Sequence, residues 1–234
     1  MLGMESPSAT RLSLMTTAER LFAERGINAV SAREIAAEAG QRNTNAVKYH
    51  FGSAQALVDA VFRFRMEPLN ARRIELIARS DADGRTDDPY ALAEAFATPL
   101  AELLGDLTSG PAGGSWYLRF CVQAAYTVHP DVATPGPGDL GRTPWTTGLK
   151  ELNDRALALG RATLPDALAW RRWTHFTGFA THALADREQQ LTGATPPPDD
   201  AALYLADLID AGAALLTAPA RPSTLALTPP EESP

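Results

Sequence analysis

The segment around Gly40 restricts what this chain can fold into more than any other part of the sequence. Ser31 and Glu34 form a capping box, which predicts a helix that begins at Ser31. Gly40 ends that helix, because glycine readily adopts the left-handed conformation that turns a chain out of a helix. The next predicted helix, NTNAVKYHF at residues 43–51, is equally short. Two short helices joined by a tight turn bury little surface alone, so the pattern indicates a helix-turn-helix supported by another helix.

Helical spacing also dominates the rest of the sequence, and no alternating strand pattern is found. The supporting helix carries an apolar stripe from Leu14 to Phe22 and ends at Gly26. Ser53 can cap a fourth helix that reaches about Arg79, in which Pro68 predicts a bend near residues 64–68. The apolar positions of this fourth helix are Leu57, Val61, Phe64, Leu69 and Ile77. Five further segments have helical spacing, at residues 89–107, 115–128, 144–160, 165–191 and 199–216.

The predicted fold class is therefore all-α, with about nine helices. An N-terminal three-helix helix-turn-helix head is expected at residues 9–53, followed by a C-terminal helical body at 54–217. Residues 218–234 are rich in Pro, Ser and Thr and are expected to be a disordered tail.

Charge is distributed unevenly between the head and the body. The net charge is −7, yet the first 80 residues hold eleven Lys plus Arg against eight Asp plus Glu. Positive charge is thus concentrated where the helix-turn-helix is predicted, which suits a nucleic-acid contact.

No segment resembles a signal peptide, and no window approaches the run of about 18 apolar residues that a membrane span needs. We therefore expect a soluble, cytoplasmic protein without a membrane partner. Cys121 is the single cysteine, so the chain cannot form an internal disulfide.

The start of the second helix of a helix-turn-helix reaches base edges in the major groove of double-stranded DNA. Asparagine side chains pair with adenine edges, and threonine can offer a hydroxyl or a methyl group. Cations and polar tips nearby suit phosphate oxygens. The predicted DNA-binding residues are Arg33, Arg42, Asn43, Thr44, Asn45, Lys48, Tyr49 and His50.

The stretch LMTTAERLFAERGINAVSAREIAAEAG followed by AVKYHFGSAQALVDAVF, within residues 14–62, resembles the DNA-binding head of the tetracycline-repressor (TetR-like) family of transcriptional regulators. The resemblance implies a dimeric all-helical protein with a variable, ligand-binding body. It also implies DNA contacts at positions matched here by Arg33, Thr44, Asn45, Lys48, Tyr49 and His50. Ala54 replaces the lysine that is usual after the Gly-Ser pair, which should weaken one contact to the DNA backbone.

The last two helices are expected to form the dimer interface. A broad apolar stripe on the final helix, interleaved with alanines, would permit close approach of a partner. The alternative is that this stripe covers the chain's own core. Its members are Leu205, Leu208, Ile209, Gly212, Leu215 and Leu216.

Aromatic residues gather in the body, where the resemblance implies an effector site. Few cations stand near them in the sequence, which favours an uncharged or largely apolar ligand. Ordinary core packing is the alternative for each residue. The predicted ligand-binding residues are Phe96, Trp116, Tyr117, Phe120, Gln123, Trp145, His175, Phe176 and Phe179.

We expect no catalytic residue, metal site or cofactor. His175 and His182 are two helical turns apart, roughly 10 Å along the axis, which is too far for both to bind one metal. No nucleophile and base form a recognisable motif, and no glycine-rich phosphate loop follows a strand.

The leading hypothesis is a homodimeric repressor that binds a palindromic operator and releases it when a small, largely apolar molecule occupies the body. An activator or a ligand-blind regulator of the same fold stays open as an alternative. The third hypothesis, a helical enzyme that uses the aromatic cavity, would need a catalytic constellation that the sequence does not contain.

Overall fold

The computed structural model describes residues 7–105, 115–125, 146–193, 197 and 199–228. These residues form an all-α structure, and none of its helices is long and apolar enough to cross a membrane. The α-helices of the described ranges, with one 3-10 turn at Ile27–Ala29, are α1 (Ala9–Arg25), α2 (Ala32–Glu38), α3 (Ala46–Phe51), α4 (Ala54–Ala82), α5 (Pro89–Gly105), α6 (Tyr117–Ala125), α7 (Thr147–Arg161), α8 (Asp166–Leu191), α9 (Ala201–Thr217) and α10 (Pro222–Leu225).

The first four helices begin and end close to the residues that the sequence indicates, with one exception at α3. Ser31 Oγ accepts the amide of Glu34 at 3.2 Å, and Ser53 Oγ accepts the amide of Ala56 at 3.0 Å. Each bond satisfies a free donor of a first helical turn. Helix α4 runs unbroken through Pro68. Helix α10 lies within the segment that was expected to be disordered.

One continuous hydrophobic core extends from the head into the body. In the head, α1 packs against α2 and α4, and α3 packs against α2 and α4. In the body, α8 lies among α5, α6, α7 and α9, while α4 packs against α5 and α7. Because α4 belongs to both sets of contacts, a shift of this helix in the body moves a helix on which α3 rests.

Helix α9 lies very close to the body core. A Cβ added at Gly212 would lie 2.4 Å from Cε2 of Phe176, whose side chain is fully buried. Leu208 and Leu216 are buried on the same side of the helix. The prediction that the apolar stripe of α9 binds a partner subunit is therefore wrong for Leu208, Gly212 and Leu216, since these three residues cover the chain's own core.

Candidate nucleic-acid interface and ligand region

The turn between α2 and α3 is a Schellman motif centred on Gly40. This glycine has a φ of +70°, its amide donates to Ala37 O at 3.0 Å, and the amide of Gln41 donates to Ala36 O at 2.9 Å. These two bonds satisfy the last carbonyls of α2 and turn the chain sharply. A residue with a Cβ would be strained at this φ, so glycine fixes the angle at which α3 leaves α2.

Helix α3 begins at Ala46, three residues later than the sequence indicates. The reason is local, because Asn43 Oδ1 accepts the amide of Asn45 at 2.9 Å and stabilises a turn in place of a helical start. Asn43 therefore uses its side-chain oxygen within the chain, whereas a bidentate pair with adenine needs both the oxygen and the nitrogen of the amide. Asn45 makes no capping bond with its side chain.

The two faces of α3 differ in polarity. Ala46 and Val47 are buried in the head, while Lys48 and Tyr49 point to solvent, and Tyr49 is 81% exposed. His50 is half-buried, with its ring 4.9 Å from the Tyr49 ring. The exposed side of α3 and its preceding turn thus presents polar side chains only.

Arg11 supports the end of α3. Its guanidinium lies 4.3 Å from the centre of the Phe51 ring and donates to the carbonyl oxygen of His50. A cation at the C-terminus of a helix is favourable because the last carbonyls carry partial negative charge. Arg11 therefore fixes the position of α3 against α1.

Apart from Arg11, the cations of the head and of the neighbouring part of α4 fall into two sets. Arg20, Arg25, Arg63 and Arg65 each form an ion pair with a glutamate. In contrast, among the described residues no carboxylate pairs with three exposed cations of α2, α3 and the turn between them. The cations of this unpaired set are Arg33, Arg42 and Lys48.

Glu19 joins the head to the body at a buried position. Its side chain is 3% exposed and accepts two bonds from Arg65, at 2.8 and 2.9 Å. It also accepts the backbone amide of Trp116 at 3.0 Å. Glu19 lies on α1 and Arg65 on α4. One carboxylate therefore links α1 to α4 and to the residue that precedes α6.

Glu188 of α8 holds the first turn of α6 from the other side. Its carboxylate accepts the amides of Leu118 and Arg119 at 3.3 and 3.2 Å, and Arg119 Nε at 3.1 Å. Burial raises the pKa of Glu188, and the bonds from Arg119 act in the opposite direction. Negative charge at the N-terminus of a helix is favourable, so this carboxylate stabilises α6 where it meets α8.

The aromatic side chains of the body form two buried groups. The rings of Phe22, Phe62, Tyr117 and Phe120 pack together between α1, α4 and α6, with Phe62 and Phe120 4.7 Å apart. Phe96 packs on Phe176 at 5.2 Å and on Trp173 at 5.8 Å between α5 and α8.

The structure divides the predicted ligand-binding residues by exposure. Phe96, Tyr117, Phe120 and Phe176 are buried in these two groups, and Trp116 is half-buried beneath Arg119. The remaining described members, Gln123, His175 and Phe179, are exposed. Trp145 lies outside the described residues.

Arg73 of α4 is a buried cation that is not among the predicted ligand-binding residues. It is 1% exposed, and its guanidinium lies 5.4 Å from the centre of the Phe96 ring. A cation of the body therefore lies beside the aromatic residues. The spacing contained the signal, since Arg73 stands four residues after Leu69 and four before Ile77, on the buried stripe of α4.

A head with a glycine turn, an exposed polar helix and unpaired cations has the features of a helix-turn-helix. Residues 14–61 match the family model of bacterial regulatory proteins of the tetR family. This amino-terminal domain therefore belongs to the tetR family of transcriptional regulators.

The chain is 34% identical over 97 residues to the HTH-type transcriptional repressor KstR2 of Rhodococcus jostii (strain RHA1). The match spans 42% of this chain and 44% of that relative, less than half the length of either protein.

Solved structures that align with this chain include a TetR-family regulator from Streptomyces coelicolor A3, which is 23% identical, with 92% of this chain and 99% of that chain covered and a TM-score of 0.41. RolR, crystallised with resorcinol, is 21% identical, with 91% and 95% covered and a TM-score of 0.44.

Proposed function

We propose that the protein is a homodimeric transcriptional repressor that binds a palindromic operator and leaves it when a small, largely apolar molecule occupies the body. We also propose the division into a DNA-binding head at 9–53 and a body for ligand binding and dimerisation at 54–217. The observation that carries the DNA part is the unpaired set of Arg33, Arg42 and Lys48 beside the exposed ring of Tyr49. Cations that hold no carboxylate in the free protein are available to phosphates without breaking an ion pair.

The proposed base contacts come from Asn45 and Thr44, with Asn43 in a positioning role. Phosphate contacts are assigned to the unpaired set and to Tyr49 and His50, because these are polar side chains of the helix-turn-helix that are exposed or, for His50, half-buried. One head covers a single half-site, so a useful affinity requires two heads related by two-fold symmetry.

The proposed dimer interface is the outer side of α8 and α9. Phe179 and Leu203 are large apolar side chains that are 42% and 64% exposed in the single chain. Ala206 and Ala214 are exposed on the same outer side of α9 as Leu203, and their small side chains permit close helix packing. This side is opposite to Leu208 and Leu216, which face the core.

Release of DNA is proposed to pass through α4, which contacts α1 and α3 in the head and α5 and α7 in the body. A ligand that binds one arrangement of the body more tightly than another shifts the equilibrium toward that arrangement. The shift changes the separation of the two recognition helices in the dimer. The buried groups of the body are core rings and structural carboxylates, so we assign the protein to regulators rather than enzymes. A DNA-bound regulator of this kind acts in the cytoplasm.

The first test measures DNA binding by Lys48→Ala and Tyr49→Ala. Both variants are expected to fold normally, because both side chains are exposed, and to bind selected duplexes more weakly. If Lys48 neutralises one phosphate, the slope of log affinity against log salt falls by about 0.9 in its variant. Fluorescence anisotropy over a range of salt concentrations measures both quantities.

Lys150→Ala is the matched control, since it removes one exposed cation from the body, where Lys150 pairs with Asp154. Its affinity and salt slope should equal those of the unaltered protein. Binding that does not respond to salt or to either head substitution would contradict the proposed DNA interface.

The second test introduces charge into the proposed dimer interface. Leu203→Glu is expected to raise the dissociation constant of the dimer by at least about tenfold, because a desolvated charge without a partner costs several kcal/mol. Sedimentation velocity at graded concentrations measures the change. Leu227→Glu is the control, since Leu227 is also an exposed leucine, at 85%, but lies after α9. A dimer unaffected by Leu203→Glu would place the interface elsewhere.

A further inference from the structure

Arg73 differs from the other arginines that the fold buries. Arg65 pairs with Glu19, Arg119 with Glu188, and Arg187 with Asp199. Arg73 is more deeply buried than Arg65 or Arg119, yet none of the carboxylates in the described ranges lies within ion-pair distance of it.

The hydrogen bonds of Arg73 leave its guanidinium incompletely satisfied. Nη1 donates to Asn70 Oδ1 at 3.1 Å and approaches Met66 Sδ at 3.8 Å. Nε is buried and has no hydrogen-bond partner among the described residues. An unsatisfied buried donor is unfavourable, and it is more so when the group carries charge.

Among the residues that the structure describes, no other ionisable group near Arg73 supplies the missing negative charge. Burial lowers the pKa of Arg73 to about 10, so the guanidinium stays protonated at neutral pH. Tyr117 and Cys121 interact electrostatically with it. Burial raises the pKa of both groups above their ordinary values, so the phenol and the thiol stay neutral.

We propose that the body binds a small organic carboxylate whose acidic group pairs with Arg73 and whose apolar part contacts the rings around Phe96. This inference rests on the proposed function, because it names the class of ligand that the body takes. A guanidinium offers parallel donors that match the two oxygens of a carboxylate, and Nε belongs to one such pair of donors. The apolar part follows from the surroundings, since Phe96 packs on Trp173 and Phe176.

The experiment compares carboxylates with amides of the same shape. Decanoate and 2-naphthoate are titrated against decanamide and 2-naphthamide by isothermal calorimetry, with thermal unfolding as a second readout. At least one carboxylate is expected to bind and raise the Tm, and its amide to bind at least about tenfold more weakly, because the charge-assisted bonds are lost.

Arg73→Met removes the charge and keeps a flexible apolar side chain of similar length. This variant is expected to lose the preference for carboxylate over amide. Arg72→Met is the matched control, since it removes the neighbouring cation, which is half-buried and paired with Glu75 and Glu102. It should bind carboxylates as the unaltered protein does.

The Tm without ligand separates a binding role from a structural role. Arg73→Met should unfold at the same or a higher temperature, because an apolar side chain replaces a buried cation that has no counter-charge. If this variant does not fold, Arg73→Lys takes its place, and it should still prefer carboxylate over amide because it keeps the cation. The inference is overturned if no carboxylate binds or if carboxylate and amide bind equally. It is also overturned if a folded Arg73→Met keeps the preference for carboxylate or unfolds at a lower temperature, or if Arg73→Lys, used in its place, loses that preference.

DNA binding is measured on the same preparations, so that a failure of the carboxylate inference can be told apart from a failure of the proposed function. Salt-dependent binding to selected duplexes without carboxylate binding overturns the ligand inference alone. Carboxylate binding that depends on Arg73, in a protein that binds no duplex, overturns the proposed function alone.

Discussion

Glu19→Ala is expected to lower the free energy of unfolding by about 3–5 kcal/mol, the range for breaking a buried ion pair by removing one partner. The carboxylate of Glu19 is nearly inaccessible to solvent and accepts two bonds from Arg65. Alanine would leave this guanidinium unpaired, and its side chain is only 20% exposed. The backbone amide of Trp116 would lose its acceptor in the same substitution.

Urea denaturation followed by far-UV circular dichroism measures this difference. Glu24→Ala is the matched control on the same helix, since Glu24 pairs with Arg20 at a partly exposed site and should contribute no more than about 1 kcal/mol. Glu19→Gln keeps an acceptor for Trp116 and should fall between the two. Equal stability of Glu19→Ala and Glu24→Ala would show that the buried pair does not hold α1 to α4.

Phe176→Ala is expected to destabilise the protein by about 3–5 kcal/mol, the range for truncating a buried aromatic side chain. Phe176 is fully buried, its ring contacts Phe96 and Trp173, and Gly212 of α9 packs directly on it. The substitution would open a cavity where three helices meet, and close packing allows only partial collapse.

Thermal and urea unfolding of this variant can be compared with Tyr49→Ala, which removes a ring of similar size that is 81% exposed. The stability of Tyr49→Ala should change by less than about 0.5 kcal/mol. A small effect of Phe176→Ala would show that the ring lines an open space rather than the packed core.

The helix-turn-helix could be predicted from the sequence because its signals are local. Ser31, Gly40 and Ser53 determine helix ends through bonds to residues at most four positions away. The start of α3 was placed too early because Asn43 can join a helix or form a turn with its own side chain.

The positions of the body residues were harder to predict because they depend on which side of each helix faces the core. On α8, Trp173 and Phe176 lie on the buried side with Ala169, Ala180 and Leu184, whereas Phe179 falls outside this stripe. Applying the same spacing to all the aromatic residues would have separated Phe179 from the others. The burial of Arg73 contradicts the usual behaviour of arginine, so spacing alone was insufficient evidence for it.

The amides of Trp116, Leu118 and Arg119 bind two carboxylates that come from different helices, Glu19 of α1 and Glu188 of α8. A rotation of α8 would therefore pull on this turn and, through Glu19, tilt the whole three-helix head. The proposed pairing of subunits along α8 and the reading of DNA by α3 would then be mechanically connected by a polar route that does not require α4 to bend.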